Sequence, residues 1–339
     1  MDHELKEDRC FKMYQQKLGV FFLSTGLGFG LVYAACITQT TCNVSHWRAL
    51  ANGISTSGGG LGTVVMPLVG KLLINKYGWR GALLITAALT LHICFYGFIM
   101  RLFETTAACK NLDREDFISV AQMEEPFGEG FSRKDWRKDR NIKKFKLLRN
   151  PLIWSLHLNT FFFCFGQSIV FAHLAAFAVK KGFNIFLASS FISVLGFAGI
   201  VGRILIGIIC NAACIDVHLL NVGLNVLAGL SILGLTMWDV YIGMVILVAL
   251  TGIAFSTFGP VYCELTYNIF GLEGFSKGYG ILLISMAVGT ILGAPCAGKL
   301  YDWTTLYSNS FYLASVTLFL AATIYGVVYL ADKKLKEVL

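Results

Sequence analysis

The sequence predicts an all-α membrane protein of about nine transmembrane helices. Three observations carry that reading. Of the 339 residues, 56% are hydrophobic and only 14% are charged, against about 25% charged in soluble domains. Apolar runs near the ~20 residues needed to cross hydrocarbon recur at 18–42, 49–70, 81–100, 152–179, 186–210, 217–238, 240–263, 278–298 and 306–330. These runs are continuous and glycine-rich, without the ~10-residue alternation of a barrel, so their backbone groups are expected to be satisfied inside helices.

In chain order, residues 1–17 carry mixed charges and the run after them is long enough to span, so no cleavable signal peptide is read there. Gly26 and Gly30 form a small-xxx-small face in the first span, repeated at Gly58 and Gly62 in the second and at Gly289 and Gly293 in the eighth. All three predict close helix contacts. A phosphate loop would need a preceding strand and a Lys-Ser or Lys-Thr ending. The first three spans make a partial N-terminal bundle over 18–100.

Residues 101–150 hold twelve of the 28 basic residues, among them Arg133, Lys134, Arg137, Lys138 and Arg140, mixed with nine acids. Positive-inside logic makes this a cytoplasmic central loop, and the lack of regularly interleaved aromatics argues against nucleic acid as a partner. Six spans follow over 151–330, and the tail 331–339, with Lys333, Lys334 and Lys336, falls on the same side. This count places the N-terminus outside and the C-terminus inside. It also puts the Asn43-Val-Ser45 sequon on the cytoplasmic side, where it is expected to stay unmodified.

Enzyme chemistry finds little support. The ten cysteines fall mostly inside spans, and none forms a paired C-x-x-C zinc spacing. Gly274-Phe-Ser-Lys-Gly278 matches the letters of a serine-nucleophile elbow, but that motif requires a strand-to-helix turn with His and Asp partners. Neither a catalytic set, a metal nor a cofactor is expected.

One charge lies inside the run 186–210: Arg203, in Gly-Phe-Ala-Gly-Ile-Val-Gly-Arg-Ile-Leu-Ile-Gly, with the nearest acid, Asp216, beyond the end of the run. A guanidinium at mid-membrane costs roughly 2.5–3.5 kcal/mol on insertion scales, so it is expected to face a partner, a cavity or an anion. The alternative is snorkelling toward the helix end about two turns away.

Further motifs fall into a known order. Ser45-His-Trp-Arg-Ala-Leu-Ala-Asn-Gly-Ile-Ser-Thr-Ser-Gly-Gly-Gly60, Asn75-Lys-Tyr-Gly-Trp-Arg-Gly81, Leu147-Leu-Arg-Asn-Pro151, Phe171-Ala-His-Leu174, Phe255 to Glu264 and Gly293-Ala-Pro-Cys-Ala-Gly-Lys-Leu-Tyr-Asp302 follow one another. From about Tyr14 onward the chain resembles the monocarboxylate transporter family of the major facilitator superfamily. The resemblance implies a major facilitator-type helical bundle in which the family's first three helices would precede residue 14. Residues 1–13 then look like an alternative beginning.

The resemblance also implies roles. Arg203 corresponds to the helix-eight arginine that binds the substrate carboxylate. Gly199 stands where proton-coupled members carry an aspartate, which points away from lactate-type proton symport and toward monocarboxylates or related solutes such as amino acids, thyroid hormones, creatine or carnitine. His173 resembles a substrate-contacting histidine, and Phe255 and Ser256 match a helix-ten stretch that shapes the pocket, with Pro260 expected to unwind the helix beside them. A multi-pass protein of the plasma membrane is implied, set in the lipid bilayer, with an accessory single-span glycoprotein as a partner. The competing expectation is a truncated, non-transporting isoform that associates with a full-length transporter or accessory protein.

Overall fold

The computed structural model describes residues 26, 28–44, 46–122, 150–211 and 215–338. Their elements are α1 (28–43), α2 (Arg48–Gln122), α3 (Pro151–Lys180), α4 (Ile185–Cys210), α5 (Val217–Met237), α6 (Tyr241–Ala254), a 3-10 turn Phe255–Thr257, α7 (Pro260–Thr304) and α8 (Tyr307–Val338). Among the described residues there is no strand. Among the described residues seven helices are long and apolar enough to cross a membrane, the first of them Arg48–Ile99.

That first crossing segment merges two of the nine expected spans. Gly78, at φ 67° and ψ 173°, breaks it, in a backbone region that only glycine enters without strain. Gly271 does the same within α7 at φ 66°, so Tyr241–Leu272 and Gly274–Thr304 are separate crossing segments. The helix of α2 also runs on to Gln122, past the point where the cytoplasmic loop was expected to begin. Helix formers such as Leu102, Glu104, Ala107 and Ala108 allow it to continue beyond the apolar stretch. Residues 123–149 of that loop, with most of its basic cluster, lie outside the described residues.

The chain divides into two compact units, residues up to Val64 together with Pro151–Leu339, and Val65–Asn150. The smaller unit by itself is two helical segments about Gly78, with Leu83, Leu84, Leu91 and Phe98 exposed. Apolar side chains left bare in this way suit lipid.

In the larger unit α3 is central, packing on α7 and α8, while α5 packs on α8 and α4 on α6. Its core includes Phe163, Phe177, Phe191, Tyr262, Phe275, Phe311 and Tyr325, all 2% exposed or less. Close approach comes from glycine. A methyl at Gly289 or Gly293 of α7 would fall inside the shells of the Phe161 and Phe165 carbonyls of α3. The faces at Gly26–Gly30 and Gly58–Gly62 do not act this way: nothing in the described structure lies within 4 Å of a methyl at any of the four. The glycines of α2 that meet another helix are Gly53 and Gly60, both against α4.

A polar hub crosses the core. Asn159 of α3 donates to the Ala321 carbonyl at 2.9 Å, and its Oδ1 accepts from Asn221 at 3.3 Å and from the Tyr262 hydroxyl at 3.2 Å. Three other helices are thereby tied to α3. In a low-dielectric interior such bonds specify one register, because a slipped register leaves them unmade.

The helix ends are also fixed by polar groups. Asp216 caps α5, accepting from His218 N–H at 2.9 Å and from the Tyr329 hydroxyl. Burial alone raises the pKa of this carboxyl, but the hydrogen bonds from Tyr329 and His218 outweigh it and hold the group below its ordinary value. At the other end of α5, Lys181 donates to the carbonyls of Leu235 at 2.7 Å, Thr236 at 3.3 Å and Trp238 at 2.7 Å. Its ion pair with Asp239, 2.8 Å long, involves a carboxylate 79% exposed and adds little. Lys181→Met keeps the stem and removes the cap, with an expected loss of about 1.5–3 kcal/mol. A lowered thermal midpoint with unchanged uptake per folded molecule checks this.

Candidate functional site

Arg203 emerges from a helix packed by glycine on two sides. On one, a methyl at Gly196 would lie 2.9 Å from Val64 and one at Gly207 2.8 Å from Leu50, so α2 lies close against α4. On the other, a methyl at Gly202 would run into Ser256 and Ile253, and one at Gly252 would lie 2.6 Å from the Leu195 carbonyl. The long arginine side chain is thus flanked by residues too small to cover it. A crevice of about 20 Å³ remains beside it, lined by Gly60, Thr63, Gln167, Gly199 and Phe255 among others. That is room for about one water molecule.

Arg203 also lines a larger, open cleft of about 490 Å³ with Gln167, Ser168 and Phe171 of α3, Phe258, and Thr290 and Ala294 of α7. This volume lies within the roughly 300–1,000 Å³ of small-molecule sites. Arg203 Nε and Nη1 are buried and, among the described residues, have no hydrogen-bond partner. Buried donors are almost always paired, and for a guanidinium the omission is severe, since the full charge sits in low dielectric. The structure turns the group into the bundle, where the snorkelling alternative had it reach for the helix end.

The polar groups around it differ in what they have left to offer. Ser168 donates to the Phe165 carbonyl at 3.0 Å and Thr290 to Met286 at 2.9 Å. Gln167 lines both the cleft and the crevice. The sequence offered no signal for it beyond an amide inside a span.

The remaining candidates fall at different depths. Phe255 is 3% exposed, lines the crevice, and meets Phe163 edge-on at 5.7 Å and Phe171 face-to-face at 6.2 Å. Ser256 is fully buried, and its hydroxyl is committed to the carbonyls of Gly199 at 3.0 Å and Gly252 at 3.1 Å. It ties the end of α6 to α4 beside Arg203. His173 is half-buried one residue beyond the cleft-lining Ala172, with Nε2 3.2 Å from the Ala294 carbonyl and its ring 5.8 Å from Tyr307. Arg203, Phe255 and Ser256 are therefore brought together, and His173 stands at the margin.

The helix break beside this cluster follows from Pro260. Proline has no N–H for the helical ladder, so α6 ends at Ala254, a 3-10 turn follows, and Gly259 at φ 143° leads into α7. The turn places Phe255 and Phe258 on the cavity side. Among the described residues no group of three or more His, Cys, Asp or Glu side chains is placed to hold a metal.

The chain is similar to known proteins. Monocarboxylate transporter 12 of Rattus norvegicus is 28% identical over 322 residues, covering 91% of this chain and 65% of its own. The Homo sapiens protein of that name is 28% identical, covering 89% and 60%, and monocarboxylate transporter 14 of Homo sapiens is 26% identical, covering 87% and 69%. The chain thus spans about 60–65% of the length of these transporter 12 relatives. Among solved structures, a single-residue variant of the E. coli fucose:proton symporter aligns with a TM-score of 0.55 at 14% identity, over 87% of this chain and 72% of that one. The same symporter in its outward conformation aligns at 0.53 and 12% identity. The sequence profile of the Major Facilitator Superfamily matches residues 16–214. With an all-helical bundle and membrane-crossing helices in agreement, the chain belongs to the major facilitator superfamily.

Proposed function

We propose that the protein carries a small organic anion, a monocarboxylate or an amino-acid-like solute, across a membrane, and that Arg203 binds its carboxylate. One observation carries the reading: a buried guanidinium with two unpaired donors beside an open cleft. A carboxylate supplies the missing charge and two acceptors in the planar geometry a guanidinium fits. Water exclusion strengthens the pair, and the apolar remainder of the solute rests on Phe171 and Phe258. Ser256 and Phe255 position the helices around the arginine, and His173 holds the α3–α7 margin.

Transport follows if the cleft opens to each side of the membrane in turn. The plasma membrane is the location this reading implies, and an accessory single-span protein its expected partner. No bond is made or broken, so the protein is not an enzyme. The test is uptake of radiolabelled acetate, pyruvate, benzoate and carnitine by cells expressing the full chain. Unlabelled carboxylates compete and their methyl esters do not, because an ester keeps the shape and loses the charge. Equal competition by acids and esters overturns the carboxylate assignment.

A further inference from the structure

Arg203 is not alone in lacking a partner. The hydroxyls of Tyr33 on α1 and Tyr279 on α7 are also buried and, among the described residues, without an aligned partner, and Tyr279 is 1% exposed as a whole. The two phenols and the Cys263 thiol lie within hydrogen-bonding range of one another, but among the described residues neither hydroxyl is aligned on a partner. The Tyr33 ring is 5.9 Å from that of Phe258, which lines the Arg203 cleft.

A second pocket of about 200 Å³ opens between α1 and α7, lined by Ala34, Thr38, Gln39, Ser276, Tyr279 and Gly280. Along α7, Gly280 is ten residues from Thr290 of the main cleft, about 15 Å at the helical rise. The tyrosine pair therefore stands between two openings. One member touches a wall of the first, and the other is a wall of the second.

Packing does not require these hydroxyls, since phenylalanine fills the same space. A buried O–H without an aligned partner is unfavourable, because it has given up water and gained little in return. A ligand rich in acceptors, passing from one opening to the other, would satisfy both. We propose that Tyr33 and Tyr279 form a second station for the substrate carboxylate, receiving it from Arg203 and releasing it into the α1–α7 pocket. The proposal rests on the carboxylate reading of Arg203. Two neutral donors hold a carboxylate less tightly than a guanidinium does, which suits a station for release.

The experiment uses the full chain, with radiolabelled acetate, pyruvate, benzoate and carnitine as probes, measuring equilibrium binding in detergent and exchange in proteoliposomes. Tyr33→Phe and Tyr279→Phe are expected to bind within about twofold of the unaltered chain but to exchange at least ~10-fold more slowly. Thermal midpoints stay at or above the starting value, which separates slow exchange from poor folding. Normal exchange in both variants, with raised midpoints, makes the hydroxyls a packing defect and overturns the station alone. If the unaltered chain binds no probe and Arg203→Gln changes nothing, the carboxylate reading falls, and this proposal falls with it.

Discussion

Arg203→Gln is expected to lower carboxylate uptake at least ~100-fold, a difference of about 2.7 kcal/mol in transition-state terms, while surface abundance holds. Glutamine keeps hydrogen-bonding capacity and roughly the reach of the stem, but it removes the charge. An anion entering the cleft then loses its hydration without meeting a counter-charge. Stability should move the other way. Among the described residues Nε and Nη1 are buried without partners, so a neutral side chain removes the cost of an unpaired buried charge. A raised thermal midpoint together with lost uptake is the signature of a binding residue; retained uptake at normal abundance sinks the role. Arg203→Lys should fall between, since a point charge replaces a planar fork.

Gly199→Asp tests the same charge from the other side. The residue lies one turn before Arg203, and a methyl there meets only the Gly252 carbonyl, at an ordinary 3.7 Å. A carboxylate at that position reaches the guanidinium as an i, i+4 pair. It competes with the substrate at neutral pH, so uptake should fall steeply. Acidification protonates the new group, frees the arginine and restores uptake. Uptake unchanged at every pH would show that the arginine does not carry the site.

The helices were legible in the sequence because hydrocarbon tolerates few charges. The apolar runs at 186–210 and 217–238 match Ile185–Cys210 and Val217–Met237 within one residue. Arg203 was legible for the same reason, as the one charge in its run. What could not be read was which residues face each other. Gly58–Gly62 and Gly289–Gly293 have the same spacing, yet only the second pair meets a backbone. Spacing reports a face and says nothing of its neighbour. Asn159, Tyr33, Tyr279 and Gln167 were missed because a lone amide or phenol in a span carries no period. Their meaning lies in partners distant in sequence, such as Ala321 for Asn159, or in having none.

Gly293→Ala should be among the most damaging small substitutions in the chain. The added methyl would overlap the Phe165 carbonyl and the Ser168 hydroxyl of α3. Ser168 can rotate, but a carbonyl in the middle of a helix cannot, so α7 must move away from α3. Overpacking of this kind costs about 1–3 kcal/mol, and the movement should lower both folded yield and thermal midpoint. Gly62→Ala adds the same methyl to another span where nothing in the described structure lies within 4 Å, and it should leave both unchanged. The consequence reaches the site, because Ser168 of α3 and Ala294 of α7 both line the cleft. Whatever fraction of Gly293→Ala reaches the membrane should have a wider cleft. Its preference among carboxylates should shift from acetate and pyruvate toward benzoate, while Arg203 still rejects the methyl esters. An unshifted preference in correctly folded protein would mean that the α3–α7 spacing does not set the size of the solute.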